Sequence, residues 1–306
     1  MMAVVVRDAD TPPAFEEFDD PRAGEGQFVV DVLAAGLNPV DLAMIGSGAL
    51  PAVPGNEGVA RTPGGGRAYF ERTIAPFGSF AQRALVAAEL PIALPDELST
   101  ADALAIGIAG LAGWLALDRA AALRPGESVL VLGASGAVGQ IAVQAARLLG
   151  ASRVVAAARE PCAVEDLGAD AIVELTGDYP AALRDAAGDG FDVVIDPLFG
   201  KPLEAALTAS APGARLVSVG ASAGATAEIE RSGLVGRTLL THGNRTTPVD
   251  VKREAYLRMC GHVLAGELSV VSEEVPLERF AEAFARQRAH PHVKLVLTNP
   301  KPGGTP

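Results

Sequence analysis

The apolar positions of this chain follow two patterns. From residue 122 to about 242, short uninterrupted apolar runs alternate with stretches of helical period. The runs lie at 128–132, 153–158, 171–174, 192–196, 215–219 and 238–242. Runs of strand length without alternation suit strands buried on both faces, as in a parallel sheet. Residues 137–149, 163–167, 180–187 and 202–209 read as the helices between them. Strand and helix in alternation predict a doubly wound parallel sheet. Residues 1 to about 95 read differently. Strand candidates at 4–6, 27–33, 58–61 and 80–86 are separated by Pro- and Gly-rich breaks, which predicts a compact, irregular β domain. A helix is expected to start within 95–102, capped by Ser99 or Thr100 with carboxylates near its positive end. Beyond 242, the pattern gives helices at 251–265 and 277–287, a last strand at 293–297 and a loose tail from 299.

The most informative stretch runs from Glu127 to Gly150. The apolar run 128–132 leads into Gly133, Gly136 and Gly139, and a helical pattern follows, closed by Gly150. Strand, glycine turn and helix form the setting of a dinucleotide fingerprint. A tight turn needs a residue without Cβ, a diphosphate approaches only bare backbone, and the helix start offers free N–H groups. The spacing here is Gly-x-x-Gly-x-x-Gly instead of the usual Gly-x-Gly-x-x-Gly. The turn residues Gly133, Ser135, Gly136, Ala137, Val138 and Gly139 are therefore candidate cofactor contacts. The next strand ends at Ala158 with Arg159 after it, about 20 residues past Gly139, where NAD-binding chains carry an acidic residue. With a guanidinium there and no carboxylate at the tip, the reading is NADPH, with Arg159 on the 2′-phosphate. Glu160 could still bond a ribose hydroxyl. The glycines at 107, 110 and 113 share the three-residue spacing but follow no strand. They read as a small-residue helix face that admits another backbone.

Composition narrows the classes. The chain has 306 residues, 49% of them hydrophobic and 20% charged, enough for two domains with large cores. A net charge of −12 argues against nucleic acid or an anionic membrane as partner. Two distant cysteines, Cys162 and Cys260, form neither a disulfide framework nor a zinc-finger spacing. No signal peptide is expected, and the apolar run 103–117 is short for a membrane span, so a cytoplasmic location is expected.

Several segments together carry a resemblance: Gly36-Leu37-Asn38-Pro39-Val40-Asp41, Pro54-Gly55-Asn56-Glu57-Gly58, the Gly133–Gly139 turn, Leu167-Gly168-Ala169-Asp170, Leu216-Val217-Ser218-Val219-Gly220 and Val293-Lys294-Leu295-Val296-Leu297. In this order the chain resembles the medium-chain dehydrogenase/reductases, and within them the zinc-free quinone oxidoreductase (zeta-crystallin-like) branch. The resemblance implies a GroES-like β domain made of residues 1–100 and completed by 250–306. It implies a Rossmann domain at 101–249 inserted into it, and a nicotinamide in the cleft between the two. It further implies a homodimer formed through an edge strand at 238–242, and cofactor contacts at Gly220, Asn244 and Arg245. Asn38 would lie beside the nicotinamide and bond the substrate oxygen or the cofactor; the alternative reading is that Asn38 makes a turn before Pro39. Asp41 reads as satisfying local backbone donors, and Tyr69 as packing or approaching the cleft. Lys294 resembles a basic residue of the branch's C-terminal strand, and the alternative reading is a solvated strand end.

Zinc alcohol dehydrogenases place a cysteine near the Asn38 position and a His-Glu pair at Asn56-Glu57. The cysteine and the histidine are missing here, and His290 with His292 reads as a surface turn, so no metal is expected. Without a Lewis acid, hydride transfer suits an activated acceptor, a quinone or a conjugated enone. The expected function is NADPH-dependent quinone reduction. The alternatives are enoyl or 2-alkenal reduction, and an NADPH-binding protein with little turnover. Two departures bear on activity: Ala112 stands where the branch often has threonine, and Pro197 removes a backbone donor after Asp196.

Overall fold

The computed structural model describes residues 1–289 and 291–299; His290 and the tail beyond 299 lie outside the described residues. The chain divides into two compact units. One holds Met1–Ile108, Tyr256–Ala265 and the chain from Val270; the other holds Ala109–Ala255 and Gly266–Ser269.

The first unit opens with the antiparallel pair β1 (Met2–Val5) and β2 (Ala14–Glu17). β3 (Gln27–Leu37) is the spine of its main sheet, followed by α1 (Pro39–Met44), β4 (Glu57–Arg61), β5 (Arg67–Glu71), β6 (Arg83–Ala87), β7 (Ile92–Ala93) and α2 (Thr100–Ala105). Ser99 caps α2, its Oγ accepting from the Asp102 N–H at 3.0 Å. α1 was not expected: Asn38-Pro39 reads as a turn, yet Pro39 opens a helix, where its missing N–H costs nothing.

In the second unit, α3 (Ile108–Leu115) continues into a π-helical turn, Ala116–Ala120. Then come β8 (Ser128–Leu132), α4 (Ala137–Leu148), β9 (Arg153–Ala158), β10 (Ala171–Glu174), α5 (Tyr179–Ala187), β11 (Phe191–Asp196), α6 (Gly200–Thr208), β12 (Ser210–Ser218), α7 (Arg231–Leu234), β13 (Thr238–Thr241) and the start of α8 (Val249–Leu264), whose residues from Tyr256 on belong to the first unit. The expected helix at 163–167 is a 3₁₀ turn, Pro161–Leu167. The six strands are parallel and stand in the order β10-β9-β8-β11-β12-β13. Counted along the chain this is the 3-2-1-4-5-6 order of a Rossmann sheet. Leu130, Leu132, Val155, Val194, Leu203 and Leu216, all fully buried, pack in its core. Gly113 serves as expected, for a Cβ there would lie 2.8 Å from the Val138 carbonyl, so α3 meets α4 backbone to backbone.

The chain returns to the first unit through β14 (Ser272–Pro276), a 3₁₀ turn at Leu277–Arg279, α9 (Phe280–Arg288) and β15 (Lys294–Thr298). The main sheet runs β14-β15-β3-β4-β5-β7, with β6 also on β3. Phe80, Phe280, Leu37, Leu295 and Leu297 fill the core beside it. The fold is thus a Rossmann sheet inserted into a GroES-like β domain.

Candidate cofactor and catalytic sites

In the second unit the site begins with the turn between β8 and α4. Gly133 has φ +58°, a left-handed value that favours glycine. The Gly136 N–H closes the turn on the Gly133 carbonyl at 3.1 Å, and the Ala134 N–H ties it to Ala157 of β9 at 3.0 Å. Gly139 is required by space: a Cβ there would overlap the Gly133 carbonyl and lie 2.6 Å from Ala134 Cα. A Cβ on Gly136 would meet only the Gly133 carbonyl oxygen, at 3.6 Å. Gly136 is the N-cap of α4, and no side chain caps the helix. Ser135 is buried, its carbonyl accepting from Gln140 Nε2 at 2.8 Å, while Ala137 and Val138 form the half-buried first turn. Uncapped N–H groups beside bare backbone fit a diphosphate.

Because all six strands are parallel, their C-terminal ends share one edge of the sheet. That edge carries the Gly133–Gly139 turn after β8, Arg159 after β9, Gly220 after β12, and the 3₁₀ turn Asn244–Thr246 with Arg245 after β13. Strand order reverses between β8 and β11, the place where such sheets bind ligands. Arg159 is exposed, and among the described residues it makes no hydrogen bond or ion pair. Asn244 is half-buried and Arg245 and Gly220 are exposed.

Asp196 ends β11 with its side chain fully buried. Its Oδ1 accepts from the N–H groups of Leu198 and Phe199 at 2.8 and 2.9 Å, and burial raises its pKa. This grip holds Phe199 at φ +57°, a strained value for a residue with a side chain. It also brings Leu198 against Gly133, its Cδ2 2.9 Å from where a Cβ would stand. Pro197 lies beside it, and its carbonyl accepts from Ser222 Oγ at 3.1 Å.

The first unit holds a buried polar cluster. Glu57, on β4, is 0% exposed, and its carboxylate takes four donors. Oε1 accepts from Lys294 Nζ at 2.6 Å and Asn38 Nδ2 at 2.8 Å; Oε2 accepts from Tyr69 Oη at 2.9 Å and the Ile108 N–H at 2.7 Å. Lys294 Nζ also donates to Asn38 Oδ1 at 2.5 Å. Asp41 accepts from the Asn38 N–H at 2.9 Å and from Asn56 Nδ2 at 2.9 Å. Burial pushes the Asp41 carboxyl up to about 6, helped by the nearby Glu57 charge. Tyr69 stacks on Tyr256 with ring centroids 4.4 Å apart, and the Tyr256 hydroxyl donates to the Ala103 carbonyl at 2.8 Å.

This cluster changes two readings. Lys294 is no solvated strand end: it is 2% exposed and paired with Glu57. Asn38 is 3% exposed, and its amide bonds Glu57 and Lys294 within the unit. The sequence signal for the cluster was its glycines. A Cβ on Gly36 would overlap Glu57 and lie 2.9 Å from Lys294 Nζ, and one on Gly107 would lie 2.8 Å from the Tyr69 ring.

The residues do not fit zinc. Its ligands are thiolate, imidazole or carboxylate around an open position. Here an amide and a carboxylate already share a fixed ammonium group, Lys294 Nζ.

Comparison with known proteins agrees with this architecture. The quinone oxidoreductase of Lama guanicoe is 30% identical over 293 residues, covering 86% of this chain and 85% of that one. The chain belongs to the zinc-free quinone oxidoreductase branch of the medium-chain dehydrogenase/reductases. The quinone oxidoreductase of Thermus thermophilus, whose structure is also known in complex with NADPH, is 32% identical. It superposes with a TM-score of 0.82 over 97% of this chain and all of its own. A family model described as zinc-binding dehydrogenase matches residues 137–248, which leaves out Asn38, Glu57 and Lys294. A phenolphthiocerol/phthiocerol polyketide synthase of Mycobacterium tuberculosis is 28% identical over 90% of this chain, which spans only 14% of that protein's length. In this quinone oxidoreductase-like chain no helix among the described residues is long and apolar enough to cross a membrane.

Proposed function

We propose that this chain is an NADPH-dependent oxidoreductase that passes a hydride to a quinone without zinc. The observation that carries the reading is the Gly133–Gly139 turn on the C-terminal edge of the Rossmann sheet, with α4 uncapped beside it. Bound NADPH would supply the hydride, two electrons and a proton's nucleus moving together. The chain's own residues bind and orient it. The α4 N-terminus takes the diphosphate, and exposed Arg159 takes the 2′-phosphate. Gly220, Asn244 and Arg245 complete the cofactor edge. A quinone accepting the hydride spreads the charge over its ring and takes one proton from solvent to become a hydroquinone. No Lewis acid is needed for that step.

In this reading Asn38, held by Glu57 and Lys294, works as a positioning residue. Among the described residues β13 pairs only with β12, so its outer edge is left for a second copy, which supports a homodimer through paired edge strands. The test is a titration with NADPH and with NADH, followed by nicotinamide fluorescence. Tighter binding of NADPH supports the reading. Equal affinity removes Arg159 from the 2′-phosphate, and failure of both cofactors to bind overturns the turn assignment.

A further inference from the structure

The segment that leaves β11 holds a strain that a plain connection to α6 does not need. Phe199 sits at φ +57° and ψ −162°, a region of backbone conformation close to glycine's alone. A residue stays there only where its surroundings over-determine it, and such residues gather at binding and catalytic sites.

The surroundings tie the segment from two sides. Asp196 Oδ1 takes the N–H groups of Leu198 and Phe199. The carbonyls of Asp196, Pro197 and Leu198 accept from the N–H groups of Val219, Ser222 and Ala223 at 2.8, 3.3 and 2.8 Å. These three donors belong to the chain that leaves β12. Gly220 lets that chain come close, since a Cβ there would lie 2.8 Å from the Pro197 carbonyl oxygen.

Held in this way, the segment braces the phosphate turn. Leu198 Cδ2 stands 2.9 Å, and Pro197 Cγ 3.3 Å, from the place of a Cβ on Gly133. On the other flank the Ala134 N–H is bonded to the Ala157 carbonyl of β9. The turn is thus fixed by both strands that neighbour β8, by a hydrogen bond from β9 and by apolar contact from the end of β11. Asp196 Oδ2 is shut off from solvent and has no hydrogen-bond partner among the described residues. The carboxylate therefore meets no ligand itself, and its effect passes through the two N–H groups that Oδ1 holds.

We propose, resting on the assignment of the Gly133–Gly139 turn to NADPH, that Asp196 is a positioning residue for the cofactor. It keeps Leu198 against Gly133, and so sets the turn whose N–H groups meet the diphosphate. NADPH and NADH share that diphosphate, so Asp196 acts on both alike, whereas Arg159 acts on the 2′-phosphate alone.

The test is fluorescence titration of the full chain and its variants with NADPH and with NADH, at a temperature where thermal unfolding shows each variant folded. Asp196→Ala should weaken both cofactors about tenfold and leave their ratio unchanged. Asp196→Asn keeps an oxygen for the two N–H groups and should recover most of that loss. Leu198→Ala keeps the Asp196 bonds, removes the brace and should also weaken both cofactors. Because one residue acts through the other, Asp196→Ala with Leu198→Ala should be about as weak as the weaker single variant. Losses that multiply in the double variant would overturn the proposal, as would Asp196→Asn binding as weakly as Asp196→Ala. Where Asp196→Ala does not fold, Leu198→Ala decides, and unchanged affinity for both cofactors overturns the proposal. A parent chain that binds neither cofactor overturns the turn assignment itself. A parent chain that binds, with Asp196→Ala binding equally well, overturns only the role of Asp196.

Discussion

Replacing Lys294 with Met tests whether the cluster around Glu57 is held by its ion pair. The pair is buried on both sides, with Glu57 0% and Lys294 2% exposed and 2.6 Å between Nζ and Oε1. Removing one member of a buried pair strands the other, which costs about 3–5 kcal/mol. Glu57 would keep Asn38 Nδ2, Tyr69 Oη and the Ile108 N–H as donors, which favours the lower part of that range. Lys294→Met should therefore lose about 3 kcal/mol of stability. The assay is urea unfolding, read as a change in midpoint at constant slope. Adding Glu57→Gln to Lys294→Met removes the stranded charge and should recover most of the loss. A single variant within about 1 kcal/mol of the parent chain, or a double variant no more stable than the single one, would refute the reasoning.

Other outcomes follow from the same structure. Gly139→Ala drives a methyl group into the Gly133 carbonyl, so NADPH affinity should fall at least about tenfold while the far-ultraviolet circular dichroism is kept. Arg159→Ala should weaken NADPH about tenfold and leave NADH nearly unchanged, as measured by paired fluorescence titrations. Asp41, raised from 3.8 to about 6, binds more protons folded than unfolded, so its contribution is present below about pH 4 and is lost as pH rises through about 6. Asp41→Asn should remove a fall of about 3 kcal/mol across that window, seen by comparing urea midpoints of variant and parent.

The Rossmann half was legible because its strands are buried on both faces. The runs read at 128–132, 153–158 and 171–174 are the observed β8, β9 and β10 to the residue. The strand β14 was not legible: Glu273 and Glu274 break any apolar pattern, and among the described residues the strand pairs only with β15. Nor was α1, where Asn38-Pro39 reads as a turn; in the folded chain the carboxylate of Asp41 accepts from the Asn38 N–H at the helix start. The Glu57–Lys294 pair joins residues 237 apart in sequence, and no local pattern announces a contact at that distance. A lysine at the start of a strand looks solvated until the sheet order puts β15 beside β3. The one local trace was Gly36, a glycine inside a strand, which marks close approach of another group. Arg159 was legible as a position at a strand tip, and its lack of partners among the described residues became visible only in the folded chain.

The central claim is hydride transfer from NADPH to a quinone without a metal. Its most direct test is NADPH oxidation by chelator-treated protein with 1,4-benzoquinone, followed at the nicotinamide absorbance band, with 2-cyclohexenone in parallel. Saturable NADPH consumption with the quinone is expected, unchanged by chelator, and slower with NADH. Consumption confined to the enone would contradict the quinone assignment. Loss of activity on chelation, restored by zinc, would contradict the account of Asn38, Glu57 and Lys294.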